Sequence, residues 1–325
     1  MEQPIKTKPL VQVTNLVKHF SAPKGYFKPT AVVKAVNGVS LSMMEGETYG
    51  MVGESGCGKS TTGRMILRLI EPTAGEVLYQ GKNILALQGE ELRKMRKDMQ
   101  IVFQDPFSAL NPRARIGDAI REPLDIFHIG EKQDQKVRVN DLLQRVGLQP
   151  DAYDKYPHEF SGGQRQRIVL ARALAVHPKF VVCDEPVSAL DVSTQSQTIN
   201  LLEKIQYDFK LTYLFIAHNL SVVRHISDRI GVMYLGNLVE EAMTDQLFAR
   251  PLHPYTQALL SAIPQPNPER KRNRIVLSGD VPSPLNLPTG CVFHTRCPLA
   301  APKCRECAPQ LREMESNHRV ACHLC

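Results

Sequence analysis

Short apolar runs recur along most of the chain, at residues 48–52, 100–103, 180–183, 213–217 and 230–234. Between several of them apolar positions return every three or four residues, as in 61–70, 164–175 and 193–207. A short apolar run suits a strand buried on both faces, and the 3.6-residue period suits a helix with one buried face. Their alternation predicts an α/β fold, a mostly parallel sheet covered by helices, from Val11 to about Ala249. The stretch 105–160 carries helical patterns without strand runs and reads as a helical insertion.

After Phe248 the texture changes. Pro251, Pro254, Pro264, Pro266, Pro268, Pro282, Pro284 and Pro288 break regular structure, leaving room for one short helix over 255–263. We place a domain boundary near residue 250, giving domains 1–250 and 251–325. The second is rich in Pro and Cys and poor in apolar runs, so it has little core of its own and gains from a metal staple.

Composition narrows the class. In 325 residues, 42% are hydrophobic and 22% charged, which excludes global disorder. No apolar run reaches the roughly 18–20 residues of a membrane span. Met1-Glu2-Gln3-Pro4 has no signal-peptide core, so the expectation is a soluble chain of the cytosol. The net charge of +7 permits an anionic partner without requiring one. Lysines and arginines are spread out, with Lys271-Arg272 and Arg274 the densest group. Trp is absent and no aromatic-and-basic platform interleaves, so nucleic acid is not expected as a partner.

The strongest local motif is Gly53-Glu54-Ser55-Gly56-Cys57-Gly58-Lys59-Ser60, a full G-x-x-x-x-G-K-[ST] between a strand pattern and the helix that Thr61 opens. Its glycines let backbone N–H groups turn around phosphate oxygens at a helix N-terminus. Lys59 supplies charge to the β- and γ-phosphates of ATP, and the Ser60 hydroxyl ligates Mg²⁺. The run 180–183 ends at Asp184-Glu185, at the carboxyl end of a strand, where ligand crevices of parallel sheets lie. Asp184 would hold Mg²⁺ and Glu185 would polarise the attacking water. Cys57 reads as a tolerated small residue rather than a redox switch.

Residues 160–164, Phe-Ser-Gly-Gly-Gln, resemble the ATP-binding-cassette signature, with Phe160 in place of the usual Leu. This resemblance implies that Ser161, Gly162, Gly163 and Gln164 approach the γ-phosphate held by an opposing subunit. It also implies roles for other residues in order. Gln104 matches the Q-loop glutamine that touches Mg²⁺, and 188–191, ending at Asp191, matches the D-loop. His218 matches the switch histidine, with Asn219 where many members have Asp. Phe20 matches the aromatic that stacks on adenine, with Tyr26 and Phe27 as rivals.

The segment 104–113, the Tyr234-Leu235-Gly236 turn followed by Glu240, and His253-Pro254-Tyr255-Thr256-Gln257-Ala258-Leu259-Leu260 narrow the resemblance to ATPase subunits of oligopeptide and dipeptide importers, closest to the F-type subunit. Gly279-Asp280-Val281-Pro282-Ser283-Pro284 and Val320-Ala321-Cys322-His323 extend it. The family implies an ATPase powering peptide import, with nickel, glutathione or another solute as alternative cargo. It implies a second homologous ATPase subunit, two permeases and an external solute-binding protein. Its place is peripheral, on the cytoplasmic face of the membrane.

Six of the eight cysteines fall between Cys291 and Cys325. In a cytosolic chain such a group suggests metal. The family pattern sets Cys291, Cys297, Cys304 and Cys322 as ligands that resemble a [4Fe–4S] set. Cys307 and Cys325 add a zinc-ribbon-like alternative that shares Cys304 and Cys322, and unmetallated thiols are the third reading. His294, His318 and His323 are expected at the surface, each able to replace a ligand.

Overall fold

The structure, a computed structural model, describes residues 8–22, 31–263 and 274–325. Tyr26, Phe27 and Lys271-Arg272 lie outside them. The strands are β1 (Val11–Ala22), β2 (Ala31–Met43), β3 (Thr48–Val52), β4 (Ala74–Tyr79), β5 (Lys82–Asn83), β6 (Met99–Val102), β7 (Phe180–Asp184), β8 (Thr212–Ile216), β9 (Arg229–Tyr234), β10 (Asn237–Met243), β11 (Arg312–Glu315) and β12 (His318–Val320). The helices are α1 (Lys59–Ile66), α2 (Gly89–Asp98), α3 (Pro106–Ala109), α4 (Ile116–Ile126), α5 (Lys132–Arg145), α6 (Gly162–Leu174), α7 (Val192–Phe209), α8 (Leu220–Ile226), α9 (Thr244–Ala249), α10 (Pro254–Ser261) and α11 (Pro302–Glu306). They fall into two compact units, a larger one of residues 8–42, 49–85 and 217–325 and a smaller one of 43–48 and 86–216.

In the larger unit, β2, β1, β4 and β5 form one sheet in that order. The β1–β4 pairing is antiparallel from Val11↔Tyr79 to Val17↔Ala74 and slips between Thr14 and Val17. Asn15 sits there at φ 47°. That bulge breaks the two-residue alternation of β1, which hides the strand from a periodicity reading. A second ladder starts at β3, which runs parallel to β9 with Tyr49↔Arg229 and Val52↔Val232. β10 pairs antiparallel with β9, β12 with β10, and β11 with β12. The Cys-rich end of the chain therefore adds two strands to the ladder that carries β3.

That end also has more core than its sequence suggests. Tyr255 and Phe293 are fully buried, and their rings stand 5.4 Å apart, each against Tyr234. Glu240 on β10 anchors the arrangement at 0% exposure. Its carboxylate accepts from the N–H groups of Leu252 (2.7 Å) and His253 (3.0 Å) and pairs with His318 Nε2 at 2.8 Å. His318 is thus buried, contrary to the surface expectation, because the β12–β10 pairing carries it over Glu240.

In the smaller unit, β6, β7 and β8 are parallel neighbours, and every residue of β7 and β8 is buried. Between residues 105 and 160 all described regular elements are helical. Two helices are displaced from their apolar periodicity by their caps. α1 begins at Lys59 rather than residue 61 because Gly58, at φ 103°, turns the chain into the helix, and it ends before the left-handed Arg68. α7 begins at Val192 because the Asp191 side chain caps it. Among the described residues no helix is long and apolar enough to cross a membrane.

Candidate nucleotide-binding site

The larger unit holds the glycine loop. β3 is buried along its length and ends at Val52, and α1 opens at Lys59. Gly53, Gly56 and Gly58 all have positive φ. At Gly53 a side chain is excluded twice over, since a Cβ there would lie 2.2 Å from the Met233 carbonyl oxygen. Lys59 is 4% exposed, and its Nζ donates to the carbonyls of Gly53 at 2.8 Å and Glu54 at 3.0 Å. The loop is thus curled around its own cation, which suits a phosphate cradle. Ser60 and Thr61 follow in the first turn of α1, and Ser55 is exposed on the rim. Burial raises the Cys57 thiol pKa despite the opposing charge of Lys59, so Cys57 is a poor redox switch.

Two more expected residues lie in this unit. His218, exposed, follows directly after Ala217, and Asn219 caps α8 by accepting from the Ser221 N–H at 2.9 Å. Phe20 is 38% exposed on β1, with Lys18 Nζ 5.0 Å from its ring centre. An aromatic left so open is available for a stacking partner.

The smaller unit carries the acidic pair and the signature. Asp184 ends β7 at 1% exposure. Glu185 has φ 48°, and its N–H donates to the Ile216 carbonyl at 3.0 Å. Left-handed backbone at a glutamate is strained, and such strain concentrates at functional positions. Gln104, next but one after β6, donates from Nε2 to Glu185 Oε2 at 3.1 Å, so the structure brings these two together. In this unit Gln104 and Asp184 offer an amide oxygen and a carboxylate, hard oxygen donors of the kind Mg²⁺ takes, and the Ser60 hydroxyl of the larger unit is a donor of the same kind.

Ser161 caps α6 in a reciprocal box. Its Oγ accepts from the Gln164 N–H (3.3 Å), and its own N–H donates to Gln164 Oε1 (3.0 Å). Gly162 has open space where a side chain would stand, whereas a Cβ on Gly163 would meet Thr194 Cγ2 at 2.5 Å. Asp191 has a local duty the sequence reading missed. It accepts from Ser193 Oγ (2.6 Å), Thr194 N–H (2.9 Å) and Thr194 Oγ1 (2.8 Å), and these bonds lower its pKa to about 2.

The thiols of the C-terminal region are gathered in part. Cys291, Cys304 and Cys322 are buried and Cys297 is half-buried. Burial pushes the Cys291 thiol up to about 11, with Cys304, Cys322 and Cys297 adding to the rise. Four thiols have the donor chemistry of a thiolate-bound group. Their spacing does not close on an ion, since among the described residues no three His, Cys, Asp or Glu are grouped as metal ligands. Among the described residues the zinc-ribbon set is not grouped as a metal site either. Cys307 Sγ lies 3.7 Å from His323 Nε2, and Cys325 Sγ donates to the Leu252 carbonyl at 3.5 Å.

Arg296 and Tyr255 are the residues sequence reasoning missed as parts of this site. Arg296 Nη1 pairs with Glu54 Oε2 of the glycine loop at 2.9 Å, and the Glu54 N–H donates to Tyr255 Oη at 3.0 Å. No motif marks Arg296, which stands inside the cysteine cluster one residue before Cys297.

A phosphate loop after a buried strand, together with an acidic pair ending a buried parallel strand, defines a P-loop nucleotide hydrolase. The family model for ABC transporter matches residues 36–188, and that for the oligopeptide/dipeptide transporter C-terminal region matches 239–304. The chain is 54% identical over 319 residues to the oligopeptide transport ATP-binding protein AppF of Bacillus subtilis (97% of each chain). It is 50% identical over 321 residues to OppF, of the same description, of Salmonella typhimurium (97% of this chain, 96% of that one). A dimeric ATP-binding cassette in a post-hydrolysis state with ADP and Pi superposes with TM-score 0.64 and 30% identity, covering 72% of this chain and 98% of that one. The chain therefore belongs to the ABC transporter ATP-binding family, with the oligopeptide/dipeptide transporter C-terminal region. It is an ABC-type ATPase.

Proposed function

We propose that this chain hydrolyses ATP to drive import of di- and oligopeptides, working on the cytoplasmic face of the membrane beside a second homologous ATPase and two permeases. The observation that carries this reading is the likeness to oligopeptide transport ATP-binding proteins over 97% of the chain, C-terminal region included. In this reading Lys59 leaves the carbonyls of Gly53 and Glu54 to pair with the β- and γ-phosphates, while loop amides other than that of Glu54 receive the remaining oxygens. Phe20 stacks on adenine. Glu185 takes a proton from the attacking water, Gln104 holds Glu185 until nucleotide arrives, and His218 contacts the γ-phosphate. Ser60, Gln104 and Asp184 would hold Mg²⁺, which would supply charge neutralisation on the phosphates. Ser161 to Gln164 face the ATP of the second subunit, as the N-terminus of α6 suits, and Asp191 lines the same contact.

In the same reading, Cys291, Cys297, Cys304 and Cys322 form the ligand set of an iron–sulfur cluster, with zinc as the alternative. The burial of Cys291, Cys304 and Cys322, with Cys297 half-buried, supports it. Anaerobic purification with metal analysis and a visible spectrum tests it; stoichiometric zinc without charge-transfer absorption selects zinc, and neither metal sinks both.

Transport is tested by following labelled dipeptide and labelled nickel in a strain lacking the chain. Loss of dipeptide uptake alone, restored by the wild type and not by Lys59→Ala, is the expected result. Loss of nickel uptake alone would overturn the peptide assignment.

A further inference from the structure

The C-terminal region reaches the phosphate loop at Glu54. Glu54 has two holders, both from the segment after β10. Arg296 pairs with its carboxylate at 2.9 Å, and Tyr255 Oη accepts its N–H at 3.0 Å. Both holders are fixed from behind. The Arg296 side chain is only 9% exposed, and Nη1 also donates to Tyr234 Oη at 3.4 Å. Tyr255 is fully buried, with its ring 4.7 Å from that of Tyr234 and 5.4 Å from that of Phe293.

The charge arithmetic gives this contact a consequence. Glu54 is the second residue of a loop whose amides receive a polyanion. A carboxylate free to swing toward that position repels the phosphates, and its amide, unheld, lets the loop relax. Arg296 offsets the charge and fixes its direction through a charge-assisted hydrogen bond. Tyr255 fixes the peptide. Lys59 then has its loop carbonyls in place at 2.8 and 3.0 Å.

We propose that Arg296 and Tyr255 are positioning residues for nucleotide, which clamp Glu54 so that the C-terminal region sets the ATP affinity of the phosphate loop. The proposal rests on the reading that this loop binds ATP. It assigns the C-terminal region a task in every catalytic cycle that does not depend on what its thiols hold.

The test is equilibrium binding of a fluorescent ATP analogue, with Mg²⁺, to the full chain. Arg296→Ala should weaken binding about tenfold, the loss of one charge-assisted hydrogen bond. Arg296→Lys, which keeps the charge, should recover most of it. Tyr255→Phe keeps the aromatic packing and removes only the acceptor, and should weaken binding about threefold. The deciding variant is Arg296→Ala combined with Glu54→Gln. If Arg296 acts by offsetting the carboxylate, removing that charge restores affinity to within about threefold of wild type, and in the assembled transporter the Arg296→Ala defect appears in KM for ATP rather than in kcat. Equal affinity of Arg296→Ala and wild type overturns the proposal. So does a double variant as weak as the single one, which would reduce Arg296 to docking. Lys59→Ala is the reference. If wild type binds no better than Lys59→Ala, the nucleotide reading itself has failed, and this outcome is separate from failure of the clamp.

Discussion

At the residue scale, three side chains carry testable chemistry. Glu185 stands in strained backbone within reach of Gln104, and Glu185→Gln is expected to lower ATP turnover by on the order of 100-fold or more. Nucleotide should stay bound unhydrolysed, as read by turnover and by retained label after gel filtration. Unchanged turnover would remove Glu185 from the role of base. Asp191 is expected to contribute to the start of α7 in a pH-dependent way. Its pKa is lowered to about 2, so its contribution is complete above the ordinary carboxylate range and fades as pH falls toward 2. The stability difference between wild type and Asp191→Asn should shrink over that window. His253 behaves in the opposite chemical sense. Burial drives its pKa down to about 4, with the charge of Glu240 opposing. The unfolded chain then binds a proton that the folded chain refuses between about pH 6.5 and 4, so stability is full above that window and falls through it. From pH 7 to pH 5 the loss from this residue is roughly 2 kcal/mol. Denaturation midpoints of wild type and His253→Asn, which retains a capping acceptor, should converge as pH falls.

At the element scale, helix starts fix the local geometry of the phosphate loop in one unit and of the signature in the other. α1 starts from a left-handed glycine, α6 from the Ser161–Gln164 box, and α7 from Asp191. Ser161→Ala should cost about 1 kcal/mol of stability by loss of the cap, in addition to any loss of ATPase activity. Gly53 is the least replaceable position of the loop, because the Met233 carbonyl blocks any side chain. Gly53→Ala should abolish measurable nucleotide binding while costing about 1–3 kcal/mol of stability by overpacking, with melting temperature and ligand binding read on the same sample. These residues were legible in sequence as motif positions, whereas the capping role of Asp191 was not. The helix boundaries were less so, since periodicity marks where a helix buries its face and not where its first N–H groups find partners.

At the scale of the whole molecule, Glu240 is the charge on which the C-terminal region hangs. It is buried, and it joins β10 to the start of α10 through two backbone N–H groups and to β12 through His318. Glu240→Ala leaves two backbone N–H groups and the His318 ring without their buried acceptor and should cost about 1–3 kcal/mol for each group left unsatisfied. Limited proteolysis should then cut first after β10. A variant as resistant as wild type would show that the aromatic packing of Tyr234, Tyr255 and Phe293 suffices without it.

The α/β alternation, the phosphate loop, the acidic pair and the signature could all be read from the chain, because each is a contiguous pattern whose chemistry is local. Strand and helix periods follow from which residues must leave water, and a glycine loop before a lysine has few structural uses. What tertiary structure alone decided is long-range. The β12–β10 pairing buries His318, which composition places at the surface. A bulge at Asn15 conceals β1. Arg296, far from the loop in sequence, comes to Glu54 only because strands of the C-terminal region continue the ladder of β3 and an aromatic cluster packs behind it. No local pattern encodes such a pairing, since its two partners lie far apart in the chain and are brought together by burial of residues between them.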